Sequence, residues 1–195
     1  MATSFNKYYK MKKLILIILI QLCIYTQAQI LPLSSTGNIS NGVYFKDLDN
    51  LLPQFVGQWT AKYEKNQVIL NIEKVDKHPS QVRNVKFNMD VLILRYAIKD
   101  SKGKEVFSTL NRDINDITVL KSLTSSSKNK SSGFKYEGEE CHIGQGLITL
   151  TYKDPTHLSW EYISTENAVN KAECPNMDNV KSYIPKAYEL IFTKQ

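Results

Sequence analysis

The sequence predicts an all-β fold: an antiparallel up-and-down barrel of roughly eight to ten strands with a short N-terminal helix. Three observations lead to this prediction. Segments in which apolar and polar residues alternate recur along most of the chain, which is the pattern of half-buried strands. Turn-forming clusters separate these segments. The last alternating segment comes near residue 195, where it can close the sheet and leave no open edge.

The clearest hairpin lies between residues 55 and 75. Trp59 opens a strand in which every second residue is apolar, residues 65–67 form a polar turn, and residues 68–75 repeat the alternation. Gly57 lacks a Cβ, so the backbone there can pass close to a bulky ring. We expect structural roles for both residues, with Trp59 plugging the closed end of the barrel. Residues 47–55 have helical spacing of apolar residues and supply the predicted helix.

The segments before and after this hairpin are less regular. Residues 29–45 form a polar N-terminal lead, poorly ordered at its start, in which residues 43–45 add a short strand. We expect His78-Pro79-Ser80 to break the pattern, because proline removes a ladder donor. Residues 82–87 are interpreted as a further short strand.

The central part of the chain predicts a strong strand at residues 89–98 and its return strand at 105–110. A further strand is expected at 117–123. Residues 124–133 contain almost no apolar residue, so we expect a solvated loop there.

The second half continues with strands at 134–141, 147–153 and 157–164. A long irregular connection at 165–183 follows, and residues 187–194 supply the closing strand. No interior linker is visible, so residues 46–195 are expected to form a single barrel domain.

The first 28 residues are predicted to form a secretory signal peptide, and Met11 is an alternative position for the initiator methionine. Four lysines precede an uninterrupted apolar run at 14–20, and Thr26 and Ala28 are small residues at the positions that a signal peptidase reads. The mature protein then begins at Gln29. A membrane anchor is disfavoured because the apolar run is short, and a lipid anchor at Cys23 is disfavoured because leucine precedes it. We expect an exported protein, periplasmic or extracellular.

Charge and cysteine content follow from this assignment. Four of the 25 basic residues and none of the 19 acidic residues lie in residues 1–28, so the net charge falls from +6 to +2. A nucleic-acid partner would need a clustered basic face, and none is visible. Cys141 and Cys174 are the cysteines that remain after cleavage, and an even pair in an exported protein predicts a disulfide.

Three segments carry a family resemblance. They are the run from Gly42 to Trp59, the central segment 88–99 and the ending 184–194. Together they are similar to an uncharacterised family of secreted Bacteroidota proteins, a domain of unknown function with a lipocalin-like appearance. The resemblance covers nearly all of the mature chain and implies export and a barrel fold. It brings no established catalytic residues, and Ile184-Pro185 stands where leucine-proline is more usual.

The chain contains cysteines and histidines, the residue types that bind zinc. Cys141, His142, His157 and Cys174 could in principle share an ion, but their spacing matches no compact ligand motif. His78 precedes a proline in a turn and is interpreted as a surface residue. We therefore expect no metal and no cofactor.

The sequence contains no motif that indicates a catalytic site. The chain has no Gly-x-Ser-x-Gly elbow, which nucleophilic hydrolases of one common type require. Glu139 and Glu140 are neighbours that a strand would point to opposite faces. Gly144-Gln145-Gly146 is too short for a phosphate loop and is interpreted as a turn or bulge. We expect a non-enzymatic protein.

Arg95 is the most informative charged residue. It alternates with the apolar residues of strand 89–98 and shares a face with Val91 and Ile93. Buried arginine is rare unless it is paired. Arg95 therefore either contacts a ligand inside the barrel, pairs with an internal acid, or faces outward. We keep it as the candidate ligand-binding residue.

The functional expectation is a monomeric barrel that binds a small apolar ligand. The alternative is a structural or protein-interaction module with a filled core, and an enzyme ranks third. An eight-stranded barrel can be filled by side chains or can hold one small ligand, so the interior separates the first two.

Overall fold

The computed structural model of the protein describes residues 11–13, 29–35, 39–166 and 171–195. Most of the predicted signal peptide, including Cys23 and Ala28, lies outside the described residues. Within them, no helix combines the length and the apolar character needed to cross a membrane.

In the described part of the chain, eleven strands form one continuous sheet. They are β1 (Ile30–Pro32), β2 (Tyr44–Lys46), β3 (Gly57–Tyr63), β4 (Asn66–Val82), β5 (Val85–Lys99), β6 (Glu105–Ser108), β7 (Leu120–Ser126), β8 (Ser131–Tyr136), β9 (Gly146–Asp154), β10 (His157–Ser164) and β11 (Leu190–Lys194). Three short 3-10 helices cover Leu52–Phe55, Glu140–His142 and Met177–Asn179.

Eight of these strands close into an antiparallel barrel, which confirms the predicted fold class. From β3 onward each barrel strand pairs with the next one in the chain, except that β6 lies off the path and β5 pairs directly with β7. The ring closes where β11 pairs with β3, through Thr193 opposite Thr60 and Lys194 opposite Trp59. The up-and-down order places the β3–β4, β5–β6, β8–β9 and β10–β11 connections at the same end of the barrel.

β4 and β5 continue past the barrel as a two-stranded arm (residues 73–91). β3 pairs with β4 only as far as Ile72, so the arm's part of β4 has no strand on its other edge among the described residues. The expected break at His78-Pro79 is therefore wrong: β4 runs on to Val82, and Pro79 pairs with Asn88. Proline is tolerated on an edge strand because its missing N–H needs no partner there.

The N-terminal lead lies along this arm. β2 pairs in parallel with β5 at Asn88 and Met89, and β1 pairs in parallel with β2. A strand at residues 43–45 was expected, whereas the pairing of β1 was not. Phe45 and Phe87 meet edge to face, with ring centroids 5.6 Å apart.

The expected solvated loop at residues 124–133 is also wrong. β7 extends to Ser126 and β8 begins at Ser131, so the turn between them covers residues 127–130. Ser132 is almost fully buried, and its hydroxyl lies 3.1 Å from that of Ser125 across the pair. Pairing to neighbouring strands therefore decides the structure of a segment whose composition favours a loop.

The barrel interior is filled by side chains. Residues from all eight barrel strands form one hydrophobic cluster with the helix at Leu52–Phe55. The largest fully buried members are Trp59, Trp160, Tyr96, Phe55, Phe134 and Phe192. Eight strands enclose a space that side chains can just fill, and this barrel uses it for its core.

Trp59 lies where the chain enters the barrel. Its ring is fully buried, and its indole N–H donates to the carbonyl oxygen of Phe55 at 2.8 Å. The preceding helix is shorter than expected, covering Leu52–Phe55 rather than residues 47–55. The carboxylate of Asp47 accepts the backbone N–H groups of Leu51 and Leu52 and so fixes the start of that helix.

Gly57 is needed for its backbone conformation. Its φ is +131°, in the region that residues with a Cβ rarely adopt. An added Cβ would lie 3.0 Å from the Lys194 side chain, which passes over the Trp59 ring with its Nζ 5.0 Å from the centroid. The close neighbour of Gly57 is thus a lysine stem rather than the expected aromatic ring.

The opposite end of the barrel carries the disulfide. Cys141 and Cys174 are bonded to each other, as predicted from the even cysteine pair. The bond joins the β8–β9 connection to the β10–β11 connection, and Cys174 is fully buried. Cys141 and His142 both have positive φ, at 57° and 61°.

Candidate functional site

A groove opens on the outside of the barrel where β5 and β7 separate. The two strands are paired through Ile93 with Lys121 and Leu94 with Leu120. At the next position the backbone N–H of Leu92 donates to the Ser122 side-chain oxygen at 2.9 Å instead of to a strand carbonyl. Beyond this point the described residues show no further pairing between the two strands. The groove between them has a volume of about 680 Å³.

The groove has three walls, and most of its lining is apolar. The arm supplies one wall, β7 the second, and residues 33–35, 39 and 45 of the N-terminal lead the third. The apolar side chains are Leu33, Ile39, Phe45, Val82, Phe87, Met89, Val91 and Leu123. Ligand sites are typically concave, largely apolar and about 300–1,000 Å³ in volume. This groove meets all three criteria.

Asp90 holds two of these walls together. Its buried carboxylate accepts the Tyr44 hydroxyl at 2.5 Å, the Asp47 backbone N–H at 2.9 Å and the Lys77 backbone N–H at 2.9 Å. Tyr44 belongs to the N-terminal lead and Asp47 directly follows β2, whereas Lys77 lies in the bulge of β4 with a φ of 53°. One carboxylate therefore ties the lead to the arm and sets the groove's shape.

Opposing influences act on the pKa of Asp90. Burial is the largest one and would raise the pKa, but the hydrogen bonds from Asp47, Tyr44 and Lys77 and the charge of Lys74 together lower it below 3.8. A carboxylate whose folded pKa is depressed stabilises the fold above its unfolded pKa. That contribution is lost as the pH falls through the lower, folded value.

We therefore expect Asp90→Asn to lower the free energy of unfolding by about 2–3 kcal/mol at pH 6, because charged hydrogen bonds are lost. The difference between the two proteins should shrink as the pH falls below 3.8, the ordinary value for this group. Urea unfolding of both proteins from pH 6 to pH 2.5 measures this. If the free energies of unfolding of the two proteins differ by the same amount at every pH in that range, the Asp90 carboxylate does not make the fold sensitive to acid.

Among the described residues, the lining holds several serines, a threonine and a glutamine, and two ionisable side chains, His78 and Lys121. The Nδ1 atom of His78 is buried and has no hydrogen-bond partner among the residues that the structure describes. Burial first, and then the nearby Lys121 charge, lower the pKa of His78, with an opposing contribution from the Pro79 carbonyl. The imidazole is thus neutral near pH 7. Lys121 is half-buried and is the one charged side chain among the described residues of the lining.

Arg95 lies on the outer face of β5, away from both the interior and the groove. Its Nη1 is 3.3 Å from the Glu73 carboxylate, and its Nε–H donates to the Arg112 carbonyl oxygen at 3.0 Å. The neighbouring residues Leu94 and Tyr96 point into the core, and alternation sends Arg95 outward. The sequence allows Arg95 to contact a ligand inside the barrel, to pair with an internal acid or to face outward. In the structure Arg95 faces outward.

Residues 11–195 match the model of a family of unknown function, DUF6705. The chain belongs to this family. The expected resemblance to a domain of unknown function with a barrel fold is confirmed at that level. No curated protein and no solved structure matches the chain.

The DUF6705 barrel has a second cavity, at the end that carries the disulfide. It measures about 720 Å³ and lies between the β3–β4 turn and residues 178–186. Its lining mixes apolar side chains such as Val68 and Ile98 with polar and charged ones such as Glu64, Asp178 and Lys181. This mixture distinguishes it from the apolar groove.

Buried hydroxyl groups cluster near that second cavity. The Tyr136 hydroxyl donates to the Glu139 carboxylate, and the buried Tyr96 hydroxyl and Ser182 Oγ lie close to the Tyr136 hydroxyl. Burial is the main cause that raises the pKa of both tyrosines, so both stay neutral at physiological pH. Neutral phenols of raised pKa are poor proton acceptors or donors near pH 7.

The residues weighed for a zinc site do not come together in this DUF6705 protein. Cys141 and Cys174 are bonded to each other, so neither sulfur is a free thiolate. His157 contacts the Asp154 carboxylate at 2.9 Å in the β9–β10 turn, at the barrel end opposite the disulfide. Among the described residues, no three His, Cys, Asp or Glu side chains are placed to share an ion.

Sequence reasoning missed the groove. The sequence pattern predicts a surface turn at His78 and a solvated loop directly after Leu123. The sequence carries little signal for the groove, because Lys121-Ser122-Leu123-Thr124 contains a single apolar residue. The separation of β5 from β7 is a property of tertiary structure.

Proposed function

We propose that this protein is an exported, non-enzymatic barrel that binds a small apolar ligand in the groove between β5 and β7. The single observation that carries the proposal is the separation of these strands, which opens an apolar cavity of about 680 Å³ on the barrel's outer surface. The ligand site is outside because the interior is occupied by the hydrophobic core. A filled core and a ligand site, weighed as alternatives from the sequence, are therefore compatible.

Export is supported by two features of the chain. Residues 1–28 have the lysines, apolar run and small residues of a signal peptide. The Cys141–Cys174 disulfide is typical of proteins in oxidising compartments. Together with the resemblance to secreted Bacteroidota proteins, these features favour a periplasmic or extracellular protein, which we propose to be monomeric.

Binding of the neutral dye Nile red to the exported form tests the site. We expect the wild-type protein to enhance the dye's fluorescence in a saturable way. Leu123→Trp should weaken binding about tenfold or more, because the indole occupies space in the groove. Ile163→Trp is the matched control, since Ile163 is 52% exposed, close to the 55% of Leu123, but lies on β10 away from the groove.

Two results would contradict the proposal. One is no saturable binding by the wild-type protein, which would favour the filled structural or interaction module. The other is equal binding by the two tryptophan variants, which would place the dye elsewhere. Native mass spectrometry of the protein purified from its own periplasm adds a direct test, since a retained lipid-sized mass should disappear in Leu123→Trp.

A further inference from the structure

The groove has a polar end that an entirely apolar ligand would leave unsatisfied. Lys121 lies opposite Ile93 in the β5–β7 pair, and directly opposite residues of an antiparallel pair share a face. That face is the outer one, where Val91, Ile93 and Val119 form a small buried cluster. The lysine therefore stands on apolar surface at the edge of the groove.

No carboxylate of the described residues lies within salt-bridge distance of the Lys121 ammonium. A half-buried cation next to an apolar surface is stabilised by an anion that replaces lost hydration. His78 supplies a second polar atom, the buried and unpartnered Nδ1. In the neutral imidazole this nitrogen can carry the proton and donate it to an oxygen.

The apolar part of the lining suits a hydrocarbon chain. Phe87, Met89 and Val91 alternate along the arm's β5 strand and all three line the groove. Alternate residues of a strand follow one face at about 6–7 Å intervals. They therefore form a continuous apolar track that leads away from Lys121.

We propose that the groove takes a free fatty acid, whose carboxylate pairs with the Lys121 ammonium and accepts a hydrogen bond from His78. Its chain lies along Phe87, Met89 and Val91. This inference rests on the proposed function, and it adds the class of ligand and the orientation in which the ligand binds. An anionic headgroup complements the charge of the Lys121 ammonium, which has no carboxylate partner among the described residues.

Competition against Nile red with three twelve-carbon probes tests the headgroup. Dodecanoate, dodecanol and dodecylamine have the same chain and differ in charge. We expect the wild-type protein to bind dodecanoate about tenfold or more tightly than the other two, since charged hydrogen bonds carry that discrimination.

Variants locate the source of this preference. Lys121→Met keeps the aliphatic stem and should bind dodecanoate and dodecanol equally. Lys121→Glu should reverse the order in favour of dodecylamine. Lys128→Met is the matched control, because Lys128 is exposed in the β7–β8 turn and is not part of the lining, and it should keep the wild-type preference.

The outcomes separate the two proposals. If Nile red binds in the groove but the three probes compete equally, the fatty-acid inference fails and the apolar site remains. If Lys121→Met retains the preference for dodecanoate, the headgroup lies elsewhere and the inference also fails. If neither the dye nor any probe binds the wild-type protein, the proposed function itself fails.

Discussion

Replacing Trp59 with alanine is expected to lower the free energy of unfolding by about 3–5 kcal/mol, because it leaves a large cavity in the core. The ring is fully buried and belongs to the cluster that fills the barrel. Its N–H also satisfies the Phe55 carbonyl at the end of the capping helix. Since whole domains often have only about 5–15 kcal/mol of stability, this variant should unfold at a much lower urea concentration.

Two comparisons make this result specific. Trp59→Phe keeps most of the ring volume and should fold with a smaller loss. Tyr188→Ala removes another large aromatic side chain, but one that is 78% exposed, and it should unfold at nearly the wild-type midpoint. An unchanged midpoint for Trp59→Ala would show that the ring is not a structural plug.

Removing the disulfide should have a comparable effect. The bonded cysteines are 33 residues apart in the sequence, and the chain-entropy model assigns about 3–4 kcal/mol to a loop of that length. The double variant Cys141→Ser, Cys174→Ser should therefore lose about that much stability in urea unfolding. Alkylation of the unreduced wild-type protein should detect no free thiol at these two positions.

The location of this loss can also be measured. The bond fastens residues 171–186 over one end of the barrel, so hydrogen exchange should accelerate there more than in β3 or β4. The groove lies on another part of the surface, and Nile red binding should survive in the double variant at low temperature. Equal stability of the two proteins would mean that packing alone holds this connection.

A long apolar run bounded by turn residues explains why the central strand could be predicted from the sequence. The residues from Leu92 to Ile98 alternate between the core and the outer face, but Ile93 and Ala97 on the outer face are buried as well. The disulfide was predictable because two cysteines allow one pairing. Arg95 was ambiguous, because alternation assigns it to a face but cannot tell which face is inside.

The errors have physical causes that a single sequence does not display. Pro79 looked like a strand breaker, yet β4 at that point is an edge strand, whose open side has no partner strand among the described residues. Ser125 and Ser132 have the composition of loop residues, but their hydroxyl groups contact each other across the β7–β8 strand pair. The groove depends on where two strands separate, and on the contact of Asp90 with residues more than 40 positions away.

The closure of the sheet has a kinetic consequence. Thr60 pairs with Thr193, so the ring cannot be completed until residues at almost opposite ends of the domain meet. Contacts of such long sequence separation slow folding, and barrels of this kind fold in roughly milliseconds to seconds. During synthesis, strands β3 to β10 leave the ribosome before their closing partner does. The ring therefore closes only after the last strand has been synthesised.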